Sequence, residues 1–218
     1  MVVRVPRAKL AYYPIPKVAC TSLKHYFFEV NHGRPFGGFR QAEGYEGSIH
    51  QYYPAGNAKH EAVDGLAWFV VLRDPFARAV STYFNKIPTA KFKNRMEAHG
   101  FDFAASRLKP FPTLGEYLAH LAHYVADSAL LRAHAAKVRR FCPDPLETAD
   151  HVIRLEDEGA LAGFIEGLTL GVPFEHRNAT PRAEALEISR AEFEAAMEVL
   201  APDYAFLSRW YVPPAYPG

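Results

Sequence analysis

One run of seven apolar residues constrains the fold of this 218-residue chain more than any other feature. Leu66 to Leu72 reads Leu-Ala-Trp-Phe-Val-Val-Leu, with no polar interruption. A continuous apolar run is typical of a central parallel strand, because helices cover such a strand on both faces. The run ends at Arg73-Asp74-Pro75, where Asp74 can cap a helix and Pro75 can begin it. We therefore predict an α/β fold with Arg73 at the carboxyl end of a central strand, where open α/β sheets bind ligands.

The beginning of the chain predicts a second unit of strand, loop and helix. Lys9 to Ile15 is mostly apolar and aromatic, which suits a strand, and from Thr21 the apolar residues recur at helical spacing. The first amides of a helix have no partners inside the helix, and together with the helix dipole they favour an anion with several oxygens. The intervening loop adds a mobile charge at Lys17 and hydroxyls at Thr21 and Ser22. This stretch therefore predicts an anion site.

Composition limits the classes of function. The formal net charge is only +1, so a large nucleic-acid footprint is not indicated. The two cysteines, Cys20 and Cys142, form no disulfide framework, which favours a reducing compartment. We see no signal peptide, and no run approaches the roughly 20 apolar residues that span a bilayer. We expect one domain over residues 1–218, located in the cytoplasm and without a membrane span.

Two further residues are candidates for chemistry. Ser81 falls about two turns into the helix predicted from Pro75 to about Ile87. His50 lies in residues 31–64, where we expect loops and one short strand, and a histidine can take up a proton near neutral pH. Residues 90–112 are basic and read as irregular, which fits either a positive rim around an anion or a solvated loop.

The loop differs from two familiar anion-binding loops. A Walker A loop reads GxxxxGK[ST], whereas here the lysine comes first and no glycine frames it. Cys20 near a helix N-terminus could act as a nucleophile. A tyrosine-phosphatase loop would then need an arginine six residues later, where this chain has Tyr26. We therefore favour a small loop cysteine over a catalytic one, and we find no cluster of residues that predicts a metal site.

Two segments together resemble the carbohydrate sulfotransferases, also called sulfotransferase family 2. They read PKVACTSLK and, further along the chain, VLRDPFARAVSTYFNK. Members carry a similar first segment for the 5′-phosphosulfate of 3′-phosphoadenosine 5′-phosphosulfate (PAPS), and a similar second segment for its 3′-phosphate. Two later segments resemble the family's closing strand and cofactor loop more loosely: Val152–Glu156 and Asn178–Thr180. The resemblance is strong over about the first ninety residues and weak to about Arg182.

The resemblance implies a fold, a reaction and a set of residues. The fold is the P-loop-like sulfotransferase fold, a mainly parallel central sheet flanked by helices, with helical insertions. The co-substrate is PAPS, no metal is required, and the acceptor is a small molecule or a carbohydrate. The 5′-phosphosulfate is bound by one segment of the chain: Lys17, Val18, Ala19, Cys20, Thr21 and Ser22. The 3′-phosphate is bound by Arg73 and Ser81. Further contacts to the cofactor are implied for Asn178, Thr180 and Arg182.

The base and the acceptor are the most open parts of this interpretation. Family members often take the base from the segment between the two motifs, and we select His50, with His60, Glu61 and His25 as alternatives. The acceptor pocket would be compatible with a sugar, a phenol, a lipid headgroup or a peptide. Because the secretory members begin with a membrane anchor and this chain does not, the resemblance implies a soluble enzyme of the bacterial type.

Two rival interpretations remain open at this stage. A kinase or nucleotide hydrolase of another P-loop lineage would use Glu156 and Asp157 as metal ligands, although charges at a helix N-terminus explain them as well. A non-catalytic module derived from a sulfotransferase would bind the nucleotide and transfer nothing. Turnover that depends on magnesium would favour the first, and PAPS binding without transfer would favour the second.

Overall fold

The computed structural model describes residues 2–55, 63, 65–98, 100–106, 108–175 and 187–217. The chain divides into two compact units. The first comprises Met1–Arg73 and Val138–Ala179, and the second comprises Asp74–Lys137 and Thr180–Gly218. The span of 1–218 as one domain therefore stays a prediction. Among the described residues, no helix is both long and apolar enough to cross a bilayer.

The elements occur in a mixed α/β order. The described strands are β1 (Val3–Val5), β2 (Leu10–Tyr12), β3 (Ala67–Leu72) and β4 (His151–Arg154). The described helices are α1 (Cys20–His32), α2 (Phe36–Glu43), α3 (Ile49–Tyr52), α4 (Pro75–Lys86), α5 (Ala90–Ala98), α6 (Leu114–Ala119), α7 (Leu121–Asp127), α8 (Ala129–Ala135), α9 (Ala160–Gly167) and α10 (Arg190–Phe206).

The first unit contains a mainly parallel four-stranded sheet in the order β1-β2-β3-β4. β2, β3 and β4 are parallel, which confirms the predicted α/β class, and β3 is buried from Trp68 onward. β1 pairs antiparallel with β2 across the short turn Pro6–Ala8. Lys9 closes that turn with a left-handed backbone, so the strand predicted from Lys9 begins at Leu10. Helices α1 and α9 pack against strands β1 and β4.

Aromatic packing explains why part of the prediction for residues 31–64 was wrong. In place of loops with a short strand, the described part of this region forms α2 and α3. The Phe28 ring of α1 lies 5.0 Å from the Phe36 ring and 5.1 Å from the Tyr52 ring. The burial of these rings holds helices whose glycine-rich sequence shows little helical periodicity. Ser48 and Gln51 form a capping box around the single turn of α3, which carries His50.

The second unit is helical, and its cap residues agree with the sequence. Asp74 caps α4 by accepting a hydrogen bond from the amide of Ala77 at 2.8 Å. Capping boxes begin α6 at Thr113 and α10 at Ser189, where the sequence has the Ser/Thr-x-x-Glu pattern of such boxes. α10 runs on to Phe206. The prediction that residues 90–112 are irregular was wrong for α5, because Phe92 and Met96 are buried on one side of that helix.

Candidate active site

The loop that joins β2 to α1 has an unusual backbone. Lys17 and Ala19 both adopt the left-handed conformation, with φ of 72° and 59°. This conformation costs a residue other than glycine about 1–2 kcal/mol, so the fold holds the loop in a strained shape. Left-handed residues also occur in nests, which are turns whose successive backbone amides face one concave side and bind anions. The strained backbone at Lys17 and Ala19 is compatible with the anion site that the sequence predicts, and that site stays a prediction.

The loop continues directly into the N-terminus of α1. Ala19 is the N-cap, and its carbonyl accepts the first helical bond, from the amide of Leu23 at 3.1 Å. Cys20, Thr21 and Ser22 form the first turn, whose amides have no acceptor within the helix. Val18 and Ser22 are buried, whereas Lys17, Cys20 and Thr21 are half-buried. The helix dipole adds a partial positive charge at the same place.

Arg73 comes to this loop from the end of β3. Its guanidinium nitrogen Nη1 donates a hydrogen bond to the Lys17 carbonyl at 3.3 Å. This contact places Arg73 and Lys17 at the same edge of the sheet, because the carboxyl ends of the parallel strands β2 and β3 are neighbours. The guanidinium is half-buried, and it brings a permanent positive charge beside the strained loop.

His50 lies at the mouth of α1. Its Nε2 is 3.1 Å from the hydroxyl oxygen of Thr21, and its Nδ1 is 3.2 Å from the ammonium nitrogen of Lys24. The ring is exposed, whereas Lys24 is only 1% exposed. The side chains of Thr21, His50 and Lys24 thus form a continuous hydrogen-bonded series. His50 is 29 positions from Thr21 and 26 positions from Lys24 in the sequence. Short-range spacing predicts none of these contacts.

Lys24 is a site residue to which the sequence reasoning assigned no role. Burial lowers its pKa, and the nearby Cys20 opposes that effect in part. The signal available in the sequence was its position four residues after Cys20, which puts both side chains on one face of α1. A lysine is seldom fully buried unless it has a partner, and Lys24 is hydrogen-bonded to His50. Lys24 and His50 therefore belong to one site.

Comparison with known proteins identifies the family of the chain. Residues 1–169 match the model of the sulfotransferase family. The chain belongs to the sulfotransferase family. The matched span contains the strained loop, the mouth of α1, Arg73 and His50. The mainly parallel sheet flanked by helices is the fold expected for a sulfotransferase of that family. No curated protein and no solved structure matches the chain.

The second unit of the sulfotransferase carries the other half of the second motif. Ser81 is 2% exposed on α4. Arg78, on the same helix, is also buried and forms an ion pair with Asp203 of α10 at 3.2 Å. Arg78 also donates hydrogen bonds to the carbonyls of Ala136 and His134, at 2.6 and 3.2 Å. Arg78 thus links α4 to α10 and to the end of α8 and has a structural role.

Several predicted site residues lie outside the described part of the chain. These are Asn178, Thr180 and Arg182, together with two of the alternative bases, His60 and Glu61. The third alternative base, His25, is half-buried, and its ring packs edge-on against the Phe36 ring at 5.5 Å. Among the bases considered, His50 is therefore the one that the described residues bring to the mouth of α1.

The acidic residues of the rival kinase interpretation lie on the surface of the sulfotransferase. Glu156 and Asp157 are exposed, and Asp157 lies 3.8 Å from the guanidinium of Arg154. Within the described ranges, no group of three or more His, Cys, Asp and Glu side chains could hold a metal ion. The surroundings of these two carboxylates therefore give no specific support to a role as metal ligands.

Proposed function

We propose that this protein transfers the sulfuryl group of PAPS to the hydroxyl of a small-molecule or carbohydrate acceptor and releases 3′,5′-ADP. The observation that carries the proposal is the meeting of three features in the first unit: the left-handed loop at Lys17 and Ala19, the open amides of α1, and the Arg73 guanidinium. Each of them favours an anion. Membership of the sulfotransferase family supports the phosphosulfate of PAPS as that anion.

In this proposal the loop binds the 5′-phosphosulfate. The residues involved are Lys17, Val18, Ala19, Cys20, Thr21 and Ser22. The amides and the Lys17 ammonium stabilise the charge that develops on the bridging oxygen as the sulfur–oxygen bond breaks. Loss of one such donor costs other enzymes on the order of 10²-fold or more in turnover.

Arg73 and Ser81 are proposed to bind the 3′-phosphate. A guanidinium can contact a phosphate through two parallel hydrogen bonds, and a serine hydroxyl adds a third. The proposal for Asn178, Thr180 and Arg182 as further cofactor contacts rests on the resemblance alone. The carbohydrate class of the acceptor and the cytoplasmic location remain predictions from the sequence.

His50 is proposed as the base that removes the proton from the acceptor hydroxyl. It lies 3.1 Å from Thr21, within reach of the position proposed for the phosphosulfate. General base catalysis typically contributes about 10²–10⁴-fold to a rate. The acceptor oxygen attacks the sulfur in line with the leaving 5′-phosphate oxygen, while the acceptor proton passes to the ring of His50.

The test is transfer from labelled PAPS across an acceptor library, combined with the affinity for 3′,5′-ADP measured without metal. We expect Arg73→Ala to weaken nucleotide binding by about 10- to 100-fold, the value of a hydrogen bond to a charged group. We expect His50→Ala to bind normally and to lose about 10²–10⁴-fold in transfer. Exposed Arg7 and His123 supply matched controls, and Arg7→Ala and His123→Ala should change neither measurement.

Three outcomes would count against the proposal. If Arg73→Ala binds 3′,5′-ADP with normal affinity, Arg73 does not contact the nucleotide. Normal transfer by His50→Ala means that the base is another residue. Tight binding of 3′,5′-ADP by the wild type, with no transfer to any acceptor, supports the non-catalytic module instead.

A further inference from the structure

The contacts of His50 determine where its proton lies when Lys24 is charged. A lysine ammonium has three donors and no acceptor, so the Nδ1 atom that faces it at 3.2 Å must accept the hydrogen bond. A neutral imidazole carries its single proton on the other nitrogen. Nε2 therefore bears the proton and donates it to the Thr21 hydroxyl at 3.1 Å. The hydrogen atom of Thr21 is then directed away from His50.

This arrangement conflicts with simple base catalysis. Nε2 lies on the side of the ring that faces Thr21 and the mouth of α1, so it is the nitrogen that must accept a proton from an acceptor. With Lys24 charged, Nδ1 is engaged as an acceptor and Nε2 already holds a proton. His50 can become a base only when the pair of side chains has lost one proton.

We propose that Lys24 and His50 hold their protons as one unit, so that Lys24 is the positioning residue that decides when Nε2 of His50 is free to act. The inference rests on the proposed role of His50 as the base. Interacting groups that titrate together show apparent pKa values that belong to the pair and to neither residue alone.

The proton balance of the exchange is simple. The Lys24 ammonium passes one proton to Nδ1, and the proton on Nε2 leaves to solvent. The products are a neutral amine, an imidazole with its proton on Nδ1, and a free lone pair on Nε2. Nε2 then takes the proton of the acceptor hydroxyl as the acceptor oxygen bonds to sulfur. The sulfur–oxygen bond to the 5′-phosphate breaks, and the electron pair leaves with 3′,5′-ADP.

The surroundings of the pair favour this exchange. Lys24 is 1% exposed, and its burial disfavours the ammonium and lowers its pKa. Cys20, one turn earlier on α1, opposes the lowering of the Lys24 pKa in part. Burial and Cys20 together raise the pKa of Tyr12 on β2. The Tyr12 hydroxyl is fully buried and has no hydrogen-bond partner, so it stays protonated and adds no charge.

The first experiment compares the pH dependence of sulfate release from labelled PAPS, with water as the acceptor, in three proteins. In the wild type the rate should rise with pH as the pair loses its shared proton. Lys24→Met removes the ammonium, so the rise should move down by about one pH unit or more, toward the ordinary histidine range near 6.5. Lys24→Arg keeps a donor that never deprotonates, so the rate should not rise up to about pH 10.

The second experiment locates the proton without any turnover. Nitrogen-15 spectra of the histidine side chains distinguish the two tautomers, and the His50→Ala spectrum identifies the His50 signals among the ten histidines. In the wild type the proton should lie on Nε2 at neutral pH and move to Nδ1 as the pair deprotonates. In Lys24→Arg it should stay on Nε2. Thermal melting and 3′,5′-ADP binding show that each variant is folded.

The outcomes separate this inference from the proposed function. If the His50 proton of the wild type lies on Nδ1 at neutral pH, the inference is overturned. It is also overturned if Lys24→Met lowers the rate of sulfate release without shifting the pH at which that rate rises. Absence of sulfate release and of transfer at every pH refutes the proposed function, while the spectra still decide whether Lys24 and His50 share their protons. Profiles that shift as expected, together with the expected tautomers, support both.

Discussion

Replacing Arg78 with methionine should destabilise the second unit strongly and leave nucleotide binding by the folded protein unchanged. Arg78 belongs to the second motif, yet its guanidinium is buried and bonded within the second unit. It pairs with Asp203 at 3.2 Å and donates to the carbonyls of Ala136 and His134. Removal of Arg78 leaves the Asp203 carboxylate buried without its cation.

The magnitude follows from the burial of both partners, whose side chains are 3% and 5% exposed. Removing one member of a buried ion pair costs about 3–5 kcal/mol. That is a large part of the roughly 5–15 kcal/mol that holds a typical domain folded. For a chain of this length the expected fall in melting temperature is about 6–20 °C. Methionine preserves most of the side-chain volume, so the loss reports charge and hydrogen bonding more than packing.

The assay is chemical denaturation monitored by circular dichroism, with 3′,5′-ADP affinity measured below the transition. The double variant Arg78→Met/Asp203→Leu should recover much of the lost free energy of unfolding, because the buried carboxylate of Asp203 is no longer present. The control is the exposed pair of Arg190 and Glu194 at 3.8 Å, where Glu194→Ala should cost at most about 0.5 kcal/mol. Wild-type stability in Arg78→Met, or no recovery in the double variant, would refute this reasoning.

Three further predictions concern the loop, the cap of α4 and the behaviour at high pH. Ala19→Gly should retain stability and 3′,5′-ADP binding because its φ is 59°, whereas Ala19→Val should lower both, as measured by denaturation and titration. Tyr204→Phe should cost about 1 kcal/mol in denaturant unfolding, because the tyrosine hydroxyl donates to Asp74 at 2.8 Å. Burial raises the pKa of Tyr124 to about 12 from an ordinary value of 10.0. The stability due to its neutral form should therefore be complete below about pH 10 and be lost as the pH rises toward 12. A pH titration that follows tyrosinate absorbance and circular dichroism together checks whether ionisation and unfolding occur in this range.

Local sequence was sufficient for the elements that local chemistry determines. The continuous apolar run ending at Leu72 predicts a buried parallel strand, and β3 is one. Asp74, Thr113 and Ser189 predict helix starts, since a cap is a bond between residues three positions apart. The two motif segments also predict family membership, which the family match over residues 1–169 confirms.

The errors arose where distant residues decide. α2 and α3 have weak helical patterns, and the burial of Phe36 and Ile49 holds them in place. α5 reads as a basic loop until Phe92 and Met96 are seen to be buried. In each case tertiary packing outweighed local preference, because the free energy of burying an aromatic side chain exceeds the small differences in helix propensity.

In the candidate site, too, local sequence predicts some features and tertiary contacts decide the others. The types of residue at the proposed anion loop, and the location of Arg73 at the end of a strand, could be predicted from spacing and strand order. The left-handed backbone at Lys17 and Ala19, the pairing of Lys24 with His50 and the burial of Arg78 against Asp203 depend on contacts between residues far apart in the chain. Such features form only when the fold brings distant segments of the chain together, so no local pattern encodes them.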